Sequence, residues 1–278
     1  MNAQKQYQRE GGERPSEPVC VLLVDDDVSF LEMATEALER AHNGLQVIAE
    51  SSTESALSRL DEGDIDCVVS DYLMPSMDGI ELFDEVRESH SDIPFILLTA
   101  EGSEEVAAEA ISAGVTDYFR KSGDADQYTV LANRITNVVQ QHRAKKRAAE
   151  QERISSLVRT INKALAEATT RETVEAEVCE IIAQSNPYVF AWIGEPDPET
   201  GKVQPRVSAG LEEDYLEDIL VTSRDAPTGQ GPTGRAIRTE EIQVVQNIEE
   251  DPDYEPWRED ARERGYQSSA AVPLVLGE

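Results

Sequence analysis

The sequence predicts an α/β chain: a doubly wound parallel sheet first, then a helical connector, then an α+β region. Three observations carry that prediction. Short apolar runs alternate with amphipathic stretches five times between residues 19 and 141. No proline or glycine interrupts residues 127–168. Beyond Thr170, short apolar runs and short helical patterns are separated by turns rich in Gly, Pro and Asp. With 278 residues, the chain has room for two domains that each bury a core.

In the first region strands are expected at 19–24, 45–49, 67–70, 95–98 and 117–119, and helices at 29–41, 53–61, 79–88, 103–113 and 127–141. Repeated strand-then-helix order gives a parallel sheet covered on both faces. Strands in such a sheet read as unbroken apolar runs, as in Val21-Leu22-Leu23-Val24. Ligands then bind beyond the carboxyl ends of the strands.

Those ends carry the polar residues. The first strand runs straight into Asp25, Asp26 and Asp27. Stacked carboxylates repel one another, and a divalent cation relieves the repulsion. Oxygen ligands in ones and twos, completed by water, suit Mg²⁺. Alone, the triplet fits an acidic turn equally well. The third strand ends at Asp71, the fourth at Thr99, and the fifth is followed by Lys121, the one lysine between residues 19 and 126. A single acid after a strand often only caps the next helix. Three acids, a hydroxyl and an ammonium in one crevice point to phosphoryl chemistry. The Asp71 carboxylate can attack phosphorus in line and hold the group as an acyl phosphate. Mg²⁺, Lys121 and Thr99 can balance charge on the equatorial oxygens.

Residues 19–122 resemble the receiver domain of two-component response regulators, a flavodoxin-like fold. Its paired acids match Asp25 and Asp26, its acceptor Asp71, its switch hydroxyl Thr99, its lysine Lys121 and its switch aromatic Tyr118. Asp71-Tyr72-Leu73-Met74-Pro75-Ser76-Met77-Asp78-Gly79 is the acceptor loop nearly in full. The resemblance implies that Asp71 takes a phosphoryl group from the phosphohistidine of a sensor histidine kinase. It implies Mg²⁺ held by Asp26, Asp71 and the Leu73 backbone carbonyl, with Asp25 acting largely through water. Thr99 then moves toward the phosphate and Tyr118 turns inward. On this reading the protein is not a turnover enzyme, because the aspartate is itself modified. Asp27 has no assigned role beyond beginning the first helix.

Two residues depart from the pattern. Ser122 stands where many receivers have a proline in a cis peptide bond; a non-proline cis bond costs ~3–4 kcal/mol, so the loop is either trans or strained. Leu73 stands where some relatives have a polar residue that orients water, so slow hydrolysis of the phospho-aspartate is expected.

In the connector, Leu131, Ile135, Val138 and His142 recur at alternating spacings of four and three, as do Ile154, Val158, Ile161 and Leu165. The two sets are out of register across Arg143-Ala144-Lys145-Lys146-Arg147. One long helix with a parallel homodimer seam is the reading; two helices, each packed on its own domain, is the alternative.

Further on, a helix at 174–185, strands at 188–194 and 203–209, a helix at 213–220, a Gly229–Gly234 turn opening a short helix, and a strand at 243–245 are expected. With Asp251-Pro252, Pro256-Trp257-Arg258 and residues 265–274, residues 155–278 resemble GAF domains of microbial signalling proteins. Such domains hold a small molecule against a sheet or serve only in dimerisation and relay. No residue set here selects a ligand. Cys179 falls on the first helix of this region, poorly placed for a covalent chromophore, and Trp192 and Trp257 are expected in the core. Residues 272–278 read as a central strand, so the GAF-like domain is expected to be C-terminally incomplete, with an exposed sheet edge.

The expected organisation is a disordered tail (1–18), a receiver (19–126), a helical linker (127–170) and the GAF-like domain (171–278). Lys+Arg number 25 against 56 Asp+Glu, for a net charge of −31. That field disfavours direct nucleic-acid binding. An acid-rich, lysine-poor surface fits a salt-adapted protein of haloarchaeal type. No apolar run approaches the ~20 residues that span a bilayer, and Cys20, Cys67 and Cys179 lack metal-ligand spacing. A cytoplasmic location without membrane contact is expected. The reading is a response regulator of a two-component phosphorelay with a GAF relay domain. The alternatives are a transcription regulator or hybrid kinase missing its output domain, and a Mg²⁺-dependent phosphohydrolase using Asp71.

Overall fold

In the computed structural model, residues 18–90, 92–100, 104–122, 124, 126–210 and 215–275 are described. Of the expected tail only Pro18 lies among them. The chain divides into two compact units, Met1–Ala149 and Glu150–Glu278.

The first unit runs β1 (Val19–Val24), α1 (Val28–Ala41), β2 (Leu45–Glu50), α2 (Thr53–Asp61), β3 (Cys67–Asp71), α3 (Gly79–Ser89), β4 (Phe95–Thr99), α4 (Glu104–Ala113), β5 (Asp117–Arg120) and the first part of α5 (Gln127–Glu167), whose residues from Glu150 on belong to the second. Its five strands are all parallel, in the order β2-β1-β3-β4-β5. This is the flavodoxin-like order, with its switch point between β1 and β3. The period of two along each strand divides the core. Val21 and Leu23 of β1 face one layer, with Leu31 and Leu38 of α1 and Leu131, Ile135 and Val139 of α5. Leu22 and Val24 face the other, with Leu60 of α2, Leu82 and Val86 of α3 and Ala110 of α4. Both faces being covered is why these strands are apolar throughout.

Short polar caps set where the helices begin. Asp27 accepts hydrogen bonds from the backbone N–H groups of Ser29 and Phe30, so it is the N-cap of α1. Asp78 and Glu81 form a reciprocal capping box at α3.

The connector is one unbroken helix, α5, as the missing proline and glycine suggest. Its first heptad-like set is not a seam, however. Leu131 and Ile135 are buried against the sheet of their own unit, so the receiver core accounts for that periodicity. In the second set Ile154, Val158 and Leu165 are exposed.

The second unit contains α6 (Arg171–Ala183), β6 (Phe190–Pro196), β7 (Val203–Gly210), α7 (Tyr215–Asp218), α8 (Pro232–Thr239), β8 (Gln243–Val245), α9 (Arg258–Glu263) and β9 (Ser269–Ala271). β6 pairs with β7 and β8 with β9, both antiparallel. α6 starts earlier than expected because Thr170 caps it. The helix expected at 213–220 is shorter, and residues 213 and 214 lie outside the described ones. The last strand lies at Ser269–Ala271, before the expected 272–278 segment; residues 272–275 are not strand, and Pro273 has no N–H to donate to a ladder. Trp257 is buried with Val203, Val245, Ile248 and Tyr254, and Trp192 packs against this cluster, as expected of core residues.

Candidate functional site

The carboxyl ends of β1, β3, β4 and β5 bring the site together. Asp25 follows β1 and is 2% exposed, Asp71 ends β3 and is 8% exposed, and Thr99 ends β4 and is 2% exposed. Asp26 is exposed beside them. One oxygen from each of Asp25, Asp26 and Asp71 lies within 4.8 Å of the others. Hard oxygen donors at this separation, two buried and one open to solvent, fit a small divalent cation that keeps some of its water.

Lys121 closes the cluster. Its ammonium lies 2.6 Å from Asp25 Oδ2 and 2.7 Å from Asp71 Oδ1. Burial opposes the charge on Lys121, but the hydrogen bonds to Asp25 and Asp71 outweigh it and hold its pKa above the ordinary lysine value. Burial pushes the Asp25 carboxyl up, against the pull of Lys121 and of the Asp27 N–H. The backbone also fixes the lysine: Lys121 N–H donates to the Thr99 carbonyl at 2.8 Å. Ser122 N–H donates to Gln127 Oε1 at 2.7 Å. Asn186–Pro187 is the one cis peptide bond among the described residues, so Lys121–Ser122 is trans.

Three further residues shape the site. Tyr118 packs inward against the α2–α3–α4 layer, and its buried hydroxyl has no hydrogen-bond partner among the described residues. The Leu73 side chain, two positions after Asp71, stands 64% exposed. Gly79 opens α3 so close to the end of β3 that a Cβ there would sit 2.3 Å from the Asp71 carbonyl oxygen. Phe30 was not legible as a site residue. Its ring lies 4.3 Å from Lys121 Nζ, centroid to nitrogen, yet an aromatic in an amphipathic helix reads as core.

The geometry therefore joins Asp25, Asp26, Asp71, Thr99 and Lys121 at the switch point of a flavodoxin-like sheet. The family model for the response regulator receiver domain matches residues 21–133, and that for the GAF domain matches residues 168–278. The chain carries a response regulator receiver domain followed by a GAF domain.

Among its relatives is the C4-dicarboxylate transport transcriptional regulatory protein DctD of Rhizobium meliloti (strain 1021). It is 35% identical over 133 residues, 47% of this chain and 28% of that protein. The cyclic di-GMP phosphodiesterase response regulator RpfG of Xanthomonas campestris pv. campestris (strain 8004) is 37% identical over 103 residues, 36% of this chain and 27% of that protein. The chain thus spans little more than a quarter of these two relatives. The crystal structure of a response regulator receiver domain protein from Clostridium thermocellum is 26% identical, covering 45% of this chain and 98% of that one, with a TM-score of 0.41.

Proposed function

We propose that this protein is a response regulator of a two-component phosphorelay. Asp71 accepts a phosphoryl group from the phosphohistidine of a sensor histidine kinase, and the GAF domain relays the resulting state. The observation that carries this reading is the Lys121 ammonium bridging Asp71 and Asp25 inside a cluster of three carboxylates.

Asp25, Asp26, Asp71 and the Leu73 backbone carbonyl would hold Mg²⁺, and the hard-donor set supports that choice. The bound ion supplies charge neutralisation at the equatorial phosphoryl oxygens. The residues of the chain do the rest. A carboxylate oxygen of Asp71 forms the new O–P bond as the N–P bond of the donor breaks, and the leaving imidazole keeps the electron pair and takes up a proton. Lys121 turns from the Asp71 carboxylate to a phosphoryl oxygen, and the Thr99 hydroxyl donates to another. Tyr118 and Thr99 then form the element biased by the new contacts.

The modified aspartate is the product, so the protein is not a turnover enzyme. A cytoplasmic location fits the absence, among the described residues, of any helix long and apolar enough to cross a membrane. Ile154, Val158 and Leu165, with half-buried Ile161, form an exposed stripe suited to a parallel homodimer. The net charge of −31 supports a salt-adapted surface and no direct contact with nucleic acid.

Incubating the full chain with acetyl phosphate and Mg²⁺ tests the class. A stable adduct of one phosphoryl group per chain is the expected result. Rapid multiple turnover of acetyl phosphate would make the protein a hydrolase instead.

A further inference from the structure

The Lys121 ammonium has three N–H donors. Two point at carboxylates, Asp25 and Asp71. The Phe30 ring also meets it, 4.3 Å from ring centroid to Nζ. Phe30 is well placed to be a fixed surface. Its backbone N–H donates to the Asp27 N-cap, and its side chain packs on the core layer that holds Leu31 and Leu131. The aromatic face attracts a cation, more strongly where water is excluded. It also attracts the ammonium in whichever direction its hydrogens point.

We propose that Phe30 is a positioning residue for phosphoryl acceptance, a seat from which Lys121 transfers its hydrogen bonds from Asp71 to the incoming group. The proposal rests on the phosphoryl-accepting role of Asp71. The Lys121–Ser122 bond is trans, and the backbone ties of this loop run to Thr99 and Gln127, which fix the main chain at Lys121 but not its four-carbon side chain. A flexible ammonium drawn only by carboxylates would stay on them, or swing to solvent when one is consumed. The ring keeps it within reach of the reacting oxygens without competing for its N–H groups.

The test uses the full chain and two readouts. The chain has only six lysines, so its lysine side-chain methylene NMR signals are few, and the Lys121 signal is identified by its loss in Lys121→Met. In the wild type, the ring should move the Lys121 Cε–H signals upfield of the other five. Phe30→Tyr should keep that shift and an uptake rate from acetyl phosphate within roughly twofold of wild type, whereas Phe30→Leu should lose the shift and slow uptake by roughly tenfold. If Phe30→Leu fails to fold, Phe30→Met supplies the same comparison. An unshifted Lys121 in the wild type overturns the seat. So does a ringless variant that takes up phosphate at the wild-type rate. A wild type that takes up no phosphate while Lys121 is shifted overturns the phosphoryl-accepting role itself, and the positioning role with it.

Discussion

The Lys121 ammonium lies 2.7 Å from Asp71 Oδ1, so the cation that would stabilise a transferred phosphoryl group already rests on the proposed acceptor. The same ammonium holds Asp25 at 2.6 Å. Lys121 and a divalent cation therefore draw on the same carboxylates.

That competition has a measurable consequence. Lys121→Met removes the internal cation and leaves the three acids to repel one another, so Mg²⁺ should bind more tightly, by about tenfold, while phosphoryl uptake slows. Isothermal titration with Mg²⁺ on wild type and variant checks the sign. Equal or weaker binding by the variant would mean that Lys121 does not compete with the ion.

Leu73 bears on the lifetime of the phosphorylated state. Its side chain is exposed beside Asp71 and offers no polar group to orient an attacking water. Leu73→Asn should shorten the lifetime by about tenfold, read as phosphate release after the donor is removed. An unchanged lifetime would show that the water is governed from elsewhere.

The buried Tyr118 hydroxyl lacks a hydrogen-bond partner among the described residues, an arrangement that costs about 1–3 kcal/mol. Tyr118→Phe should accordingly stabilise the receiver unit by about 1 kcal/mol in urea denaturation. A loss of stability would point to a polar partner for that hydroxyl.

In the GAF unit, Glu175 is buried between Arg171 at 2.6 Å and Arg206 at 2.9 Å. Burial alone would raise its pKa, but hydrogen bonds from Arg171 and Arg206 hold it below the ordinary 4.5. A carboxyl depressed in the folded state contributes stability that is fully present above its unfolded pKa. That contribution is lost as pH falls through the folded value. Glu175→Gln should lower stability at pH 7 by about 1 kcal/mol, allowing for the partly exposed arginines. It should also flatten the loss on acidification below pH 4.5. Parallel pH profiles for the two proteins would contradict the assignment.

The acid cluster was legible because a parallel doubly wound sheet sends every strand's carboxyl end to one side. Asp25, Asp71, Thr99 and Lys121 each follow or end an apolar run, and topology does the rest. Phe30 was hidden because its role depends on which way one lysine points across the sheet, which no spacing encodes. The heptad pattern of Leu131 and Ile135 misled for a related reason: a helix packed on a sheet and a helix packed on its twin show nearly the same apolar period. At the chain's end, residues 272–275 have strand-like composition, yet the pairing with β8 ends at Ala271.

The most direct test of the central claim is to locate the phosphoryl group. After incubation with acetyl phosphate and Mg²⁺, intact mass should show one added phosphoryl group that hydroxylamine removes, and borohydride-trapped peptide mapping should place it on Asp71, with none on Asp71→Asn. Uptake by Asp71→Asn equal to that of the wild type would contradict the account.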